Sequence, residues 1–348
     1  MKKLNLFLLA LVLCAAAAVG GEVTIPPLPA PVSNNAVASV KVRRHTLLFS
    51  FMGIGAKKTW DSITNAAYVY NPDDGKWDDL RPVPGPAGRL GASAIGAREQ
   101  VFVVGGYTVD GQGGETTVPD VSVYEPITRH WYRGADIPVP VDDSMVGVYR
   151  DRYLYLVSGW SRTDAVANVQ VYDMEKNKWA QATPIPGRPV FGHAGALVDD
   201  TIVYVDGAYK NPAGKPFYIA SDECWMGKID KKDFTKITWT KLPEHPGDAH
   251  YRIAAGGSEK DRKIYFTGGS DRPYSMTGTG YDGNPAEPSA VTFVFDLKSG
   301  QWDTISDDVG DPTMDHRGLL ITPGGMFTVG GMEKGQQVTA KVVAIRRK

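Results

Sequence analysis

Cysteine is nearly absent from this chain: 348 residues hold only Cys14 and Cys224. Once a leader carrying Cys14 is removed, no internal disulfide can form, so stability must come from packing. There is no long block of Lys or Arg, and the formal charge is −1. A surface that displaces counterions from phosphate needs clustered cations, so a nucleic-acid partner is excluded. Beyond the first twenty residues no apolar run is long enough to span a bilayer. Local ligand spacings such as His-x-x-x-His or Cys-x-x-Cys are missing, and the expectation is no metal and no cofactor. Neither a Gly-x-Ser-x-Gly nucleophile turn nor a phosphate-binding Gly loop occurs, which removes those reaction classes.

The first twenty residues, MKKLNLFLLALVLCAAAAVG, read as a secretory signal, with Lys2 and Lys3 before an apolar stretch and a small-residue cleavage region. The expected product is secreted or periplasmic. A lipid anchor on Cys14 is the lesser alternative, because the large Leu13 precedes it. Residues 21–348 then form a single domain with an ordinary globular composition.

The rest of the chain repeats. Apolar runs closed by glycine recur as FSFMGIG to Gly55, VFVVGG to Gly106, LYLVSG to Gly159, IVYVDG to Gly207, IYFTGG to Gly269 and MFTVGG to Gly331. Each is followed by a loop and a second run such as AAYVYNP or VTFVFDL, and usually by a tryptophan: Trp77, Trp131, Trp179, Trp239 and Trp302. A small-residue strand such as GASAIG or GHAGALV precedes each. Four short strands per unit of about fifty residues is the pattern of a β-propeller blade. Six units fit, and the sixth ends after its third strand. VTIPPLPAP, Val23 to Pro31, is the expected donor of the missing strand, which would close the ring and remove exposed sheet edges.

The double glycines, the Tyr-x-Pro-like third strands and the tryptophans resemble the kelch-repeat family. The resemblance implies an all-β, six-bladed kelch propeller. Within the family the chain is similar to the bacterial periplasmic sialic acid mutarotases, which share the LPAPVSNNAVA opening and a long Gly/Tyr-rich loop in the fifth blade. That resemblance implies mutarotation or epimerisation of a sugar. The Glu and Arg proposed for catalysis there correspond to Ala208 and Gly214 here. The copper galactose oxidases also contain kelch blades, but Cys224 falls in a third strand, away from the axis where their cross-linked cysteine is needed.

Function is expected where two sets of loops share one face around the central channel. The Ser270–Pro288 loop leaves a second strand, so it should act as a lid or rim over the channel mouth. It offers Asp271, Arg272, Tyr274 and Tyr281 as binding residues. The segments leading into the innermost strands add Asn35, Arg89, Arg252 and Arg317 as candidate ligand contacts, with His193, His250, His316, Asp143 and Asp315 as candidate acid–base groups. Arginines would hold a carboxylate, and Asp or His would accept hydroxyl protons. A channel lined by mutually neutralising charges is the plainer alternative. The favoured function is binding of a small polar ligand, a glycan above all, or of an envelope protein or peptide. A sugar mutarotase is the alternative.

Overall fold

The computed structural model describes residues 24–85 and 87–346, so the signal reading over residues 1–20 lies outside the described residues. Six antiparallel sheets form the propeller, each built in chain order from the axis outward. The innermost strands are Ala36–Val42, Ser93–Ala97, Met145–Tyr149, Ala194–Val198, Ala254–Ser258 and Leu320–Thr322. Alanine and glycine are frequent in them because six strands converge there. A Cβ on Gly96 would stand 2.2 Å from the Ser39 carbonyl oxygen, and one on Gly256 2.4 Å from that of Leu319.

The core consists of wedges between blades. Phe49 and Phe51 of the first blade meet Val101, Val103 and Tyr124 of the second, and Val203 and Cys224 of the fourth meet Phe266, Phe293 and Phe295 of the fifth. Each buried Val, Leu or Phe contributes about 1.5–3 kcal/mol. The recurrent tryptophans fasten each blade to the one before it. The indole N–H of Trp131, Trp179, Trp239 and Trp302 donates to Arg81, Ala135, Thr183 and Pro243 O at 2.8–3.3 Å.

Ring closure follows the same rule. Trp77 Nε1 donates to Pro26 O at 2.9 Å, so the N-terminal segment stands where the end of a fourth strand stands elsewhere. Leu28 N donates to Ala340 O at 2.8 Å, the counterpart of Val83 to Asn65, Ile137 to Pro119 and Ile185 to Ala167. The segment is not a regular strand, however: Val32 N to Thr339 O is its other bond to this strand's chain, and the sixth sheet proper has three strands. Its prolines lack the N–H groups a full ladder requires.

Each second strand ends in two residues of left-handed backbone: Gly105–Gly106, Ser158–Gly159, Asp206–Gly207, Gly268–Gly269 and Gly330–Gly331. In the first blade the pair is Met52–Gly53, not the expected Gly55, as the bridge of Ile54 to Ser33 matches that of Tyr107 to Leu90. The second glycine of the pair is compulsory. A Cβ on Gly53 would lie 2.5 Å from Ser33 O, and one on Gly159 2.6 Å from Asp142 O.

Candidate functional site

A second set of left-handed residues rings the axis. Asn34, Gly91, Asp143, Gly192, Arg252 and Asp315 all have φ between 52° and 70° and occupy equivalent places before the six innermost strands. Their backbones are chained: Asp143 N donates to Gly91 O, Gly192 N to Asp143 O and Arg252 N to Gly192 O at 2.8–2.9 Å, and Asn34 N to Asp315 O at 3.3 Å. Gly91 N closes the ring through Asn34 Oδ1 at 2.6 Å. Asn and Asp tolerate this backbone, whereas for Arg252 it costs about 1–2 kcal/mol.

At this level the side chains form a buried charge layer. Arg252 reaches Asp143 at 2.8 Å and Asp315 at 3.0 Å, while Arg317 reaches Asp143 at 2.6 Å. Ser33 and Asn34 donate to the two oxygens of Asp315 at 2.7 and 2.8 Å. Burial alone would raise Asp143, but the Arg252 and Arg317 guanidinium groups outweigh it and hold the carboxyl below its ordinary range. Its neighbour Asp142 is pushed well above that range by burial and by the Asp143 charge, and accepts from Thr117 Oγ1 at 2.7 Å.

Below the layer the innermost strands enclose a cavity of about 210 Å³, lined at its upper end by His193, His316 and Arg317. Both histidines are pushed down to about 4 by burial, so both are neutral near pH 7. His193 Nε2 lies 2.9 Å from Val157 O, and His316 Nε2 lies 2.9 Å from Thr313 Oγ1. Above the layer sits the long loop of the fifth blade. Its Tyr274 is fully buried, edge-on to Tyr251 and 5.6 Å from the Arg252 guanidinium. With Ala286, Met314 and Met332 it makes an apolar plug. Lys58 Nζ ties the loop down at Thr277 O, and Gln336 Nε2 at Ala286 O, both at 2.8 Å.

The candidate residues therefore separate into groups. Asp143, Arg252, Asp315 and Arg317 share the layer, His193 and His316 lie beneath it, and Tyr274 lies above. Three residues turn away from the axis. Asn35 donates to Ser50 Oγ at 2.8 Å. Arg89 donates to Gly105 O at 3.0 Å, and His250 faces Asp206. Arg89 and His250 precede the left-handed residue by two, as do the buried Val32, Val141, Val190 and Thr313. That register points into the wedge between blades, which corrects their expected place on the axis. Asp271 is exposed, and Arg272 pairs with Asp282 on the outer side of the lid.

The sequence reading passed over an aromatic ledge on the same face. The segments leaving the second strands of the second and fourth blades are hairpins, pairing Tyr107–Val109 with Glu115–Thr117 and Ala208–Lys210 with Tyr218–Ala220. Tyr218 stands edge-on to Trp160 of the third blade, to Phe217, and to Tyr281 of the lid, with centroids 5.5, 4.7 and 4.7 Å apart. Phe217 is 53% exposed and Tyr281 37% exposed. Burial pushes the Tyr281 phenol up to about 12, with Arg252, Glu115, Asp143 and Asp142 among the charges acting on it. Lys210 lies over the Trp160 ring at 5.3 Å. The signal for this ledge was the aromatic run at Phe217 and Tyr218 inside a long loop.

Comparison with known proteins agrees with this architecture. The solved structure of YjhT superposes with a TM-score of 0.72 over 93% of this chain and 97% of that one, at 16% identity, a likeness of fold. Kelch-like protein terF of Aspergillus terreus is 29% identical over 246 residues, covering 67% of this chain and 48% of its own. Kelch-like protein 15 of Gallus gallus is 30% identical over 132 residues, 38% of this chain and 26% of its own. The chain thus spans half or less of the length of these relatives. Residues 37–269 match the KLHDC2/KLHL20/DRC7 Kelch-repeats domain, and with its repeated left-handed pairs and blade-joining tryptophans the chain belongs to the kelch-repeat family.

Proposed function

We propose that this propeller is an exported binding protein that takes a carbohydrate on the aromatic ledge of its loop face. The observation that carries the reading is the exposure of Phe217 and Tyr281 around Tyr218, beside polar groups of three blades. Sugar rings offer C–H faces that pack on aromatic surface and hydroxyls that suit carboxylate and lysine neighbours. Glu115 and Lys210 are such neighbours, Lys210 lying at the surface where its contacts with Thr163 O and Asp164 can be exchanged for a hydroxyl. The charges on the axis are buried and paired with one another.

Binding is favoured over turnover. The places implied for a mutarotase acid–base and arginine carry Ala208, which is fully buried, and Gly214, which has no heavy atom within 4 Å of an added Cβ. Neither supplies an ionisable group, and loss of a positioned acid or base costs about 10²–10⁴-fold in rate. The test is a glycan array probed with wild type and with a Phe217→Ala/Tyr281→Ala double variant, beside NMR of N-acetylneuraminate anomers. Glycan binding that the variant loses, with anomer exchange at the uncatalysed rate, is expected. An array without hits, hits unchanged in the variant, or strong acceleration of exchange would each overturn the reading.

A further inference from the structure

A second buried polar cluster lies away from the axis, in the wedge between the fourth and fifth blades. Asp206 belongs to the left-handed pair closing the second strand of the fourth blade, and Cys224 opens that blade's third strand, Cys224–Ile229. His245 follows its fourth strand, and His250 lies on the approach to the fifth blade. Asp206 and Cys224 are fully buried, and His245 and His250 are 7% and 3% exposed. One ligand atom from each of Asp206, Cys224 and His245 lies within 4.8 Å of the other two.

The orientation of each group matters more than the proximity. His245 Nε2 lies 2.9 Å from both Asp206 oxygens, and its Nδ1 lies 2.9 Å from Pro246 O. A ring whose far N–H donates to a backbone carbonyl is the arrangement of a histidine that ligates through its other nitrogen. Stacking on Phe293, with centroids 4.1 Å apart, fixes the ring plane. Asp206 is oriented in turn by the His250 backbone N–H at 2.8 Å. His250 Nδ1 is buried with no hydrogen-bond partner of good geometry and stands 3.9 Å from Asp206 Oδ2, outside the 4.8 Å grouping of the other three, so it would close on a shared ion by a side-chain shift. The Cys224 thiol has a 3.9 Å approach to Asp222 O and a backbone contact from His245. A simple His–Asp pair accounts for His245 and Asp206 but not for a thiol and a second imidazole gathered on the same carboxylate.

We propose that this wedge is a structural zinc site, with Asp206 Oδ, Cys224 Sγ, His245 Nε2 and His250 Nδ1 as its four ligands. Zinc takes thiolate, imidazole and carboxylate together in closed tetrahedral sites, at about 2.0–2.3 Å. Charge balance favours the exchange. Without metal, both His245 nitrogens face acceptors, so an imidazolium balances the Asp206 carboxylate beside a neutral thiol. Binding one Zn²⁺ forms four coordinate bonds and releases two protons, one from the imidazolium and one from the thiol. The buried site is neutral before and after, so no net charge enters the wedge.

The test uses full-length chain purified natively from cells grown with added zinc, and separately with cobalt in place of zinc. Mass spectrometry should find close to one zinc per folded chain. The cobalt form should show the thiolate-to-metal charge-transfer band, absent from the near-isosteric Cys224→Ser. His250→Ala should weaken zinc retention against a chelator by at least about tenfold. Folded wild type without zinc, a charge-transfer band that persists in Cys224→Ser, or a His250→Ala protein that holds zinc as tightly as wild type would overturn the assignment.

Discussion

Two buried polar clusters of this propeller differ in what neutralises their carboxylates. On the axis, two arginines and two aspartates neutralise one another, with Ser33 and Asn34 donating to Asp315, while Asp143 Oδ1 and Arg317 Nη2 meet at 2.6 Å as an ion pair without hydrogen-bond geometry. In the wedge between the fourth and fifth blades, one carboxylate serves two histidines, and a ring nitrogen has no hydrogen-bond partner of good geometry. Opposite charges that neutralise one another under an apolar plug hold the blades in register, whereas a cluster of one carboxylate, two imidazoles and a thiol, with no Lys or Arg in it, is a set of metal-ligand types. The difference lies in partners, for the charges are buried in both.

The largest expected effect tests the axis as a structural tie. Arg252→Leu leaves Asp143 and Asp315 buried with Arg317 as their remaining cation, and should cost about 3–5 kcal/mol in urea unfolding. Arg252 bridges blades three and six from blade five, so the loss falls on three blades at once. A loss below about 1 kcal/mol would show that the layer is not what joins them.

Much of this was legible in the sequence. The six blades follow from glycine-closed runs and tryptophans, because a left-handed pair at every strand end admits few other residues and a large indole fills each wedge. The layer was legible as residues, since Asp143, Arg252, Asp315 and Arg317 all precede or open innermost strands. Phase was not. A shift of two residues sends Arg89 and His250 into the wedge at positions that are valine in three other blades and threonine in the fourth, and no pattern of apolar residues separates the two when the side chain is polar. The wedge cluster needs contacts between residues up to 44 positions apart, as from Asp206 to His250. Its one local sign was an Asp in VDG where other blades have Gly, Ser or Met.

A smaller effect separates the cavity from the layer through pH. His193 and His316 have folded values near 4, below the ordinary value of 6.5, so unfolding takes up protons between these limits. Their contribution to stability is complete above about pH 6.5 and is lost as pH falls towards 4, at ~1.4 kcal/mol per pH unit for each histidine. Asp142, held protonated above its ordinary range, acts in the opposite sense, with stability falling as pH rises through its window. Comparing variants removes that background. Wild type should lose about 2 kcal/mol more than His316→Gln between pH 6.5 and 4.5 in urea titrations. Parallel losses would mean that His316 is hydrated and titrates normally.

The smallest expected effect concerns the loop face, where the contrast with both buried clusters is sharpest. Phe217 and Tyr281 both pack on Tyr218, and among the described residues no buried group takes a side-chain hydrogen bond from either ring. The Phe217→Ala/Tyr281→Ala protein should therefore unfold within about 0.5 kcal/mol per substitution of wild type. Near-neutral stability with lost glycan binding marks a surface kept for contact. A loss of several kcal/mol would instead mean that the ledge braces the lid: Tyr281 and Tyr274 belong to the same loop, and loosening the first would unseat the second from the charge layer. Hydrogen exchange at 274–286 distinguishes the two, because a braced lid opens in the variant while a contact surface leaves its protection unchanged.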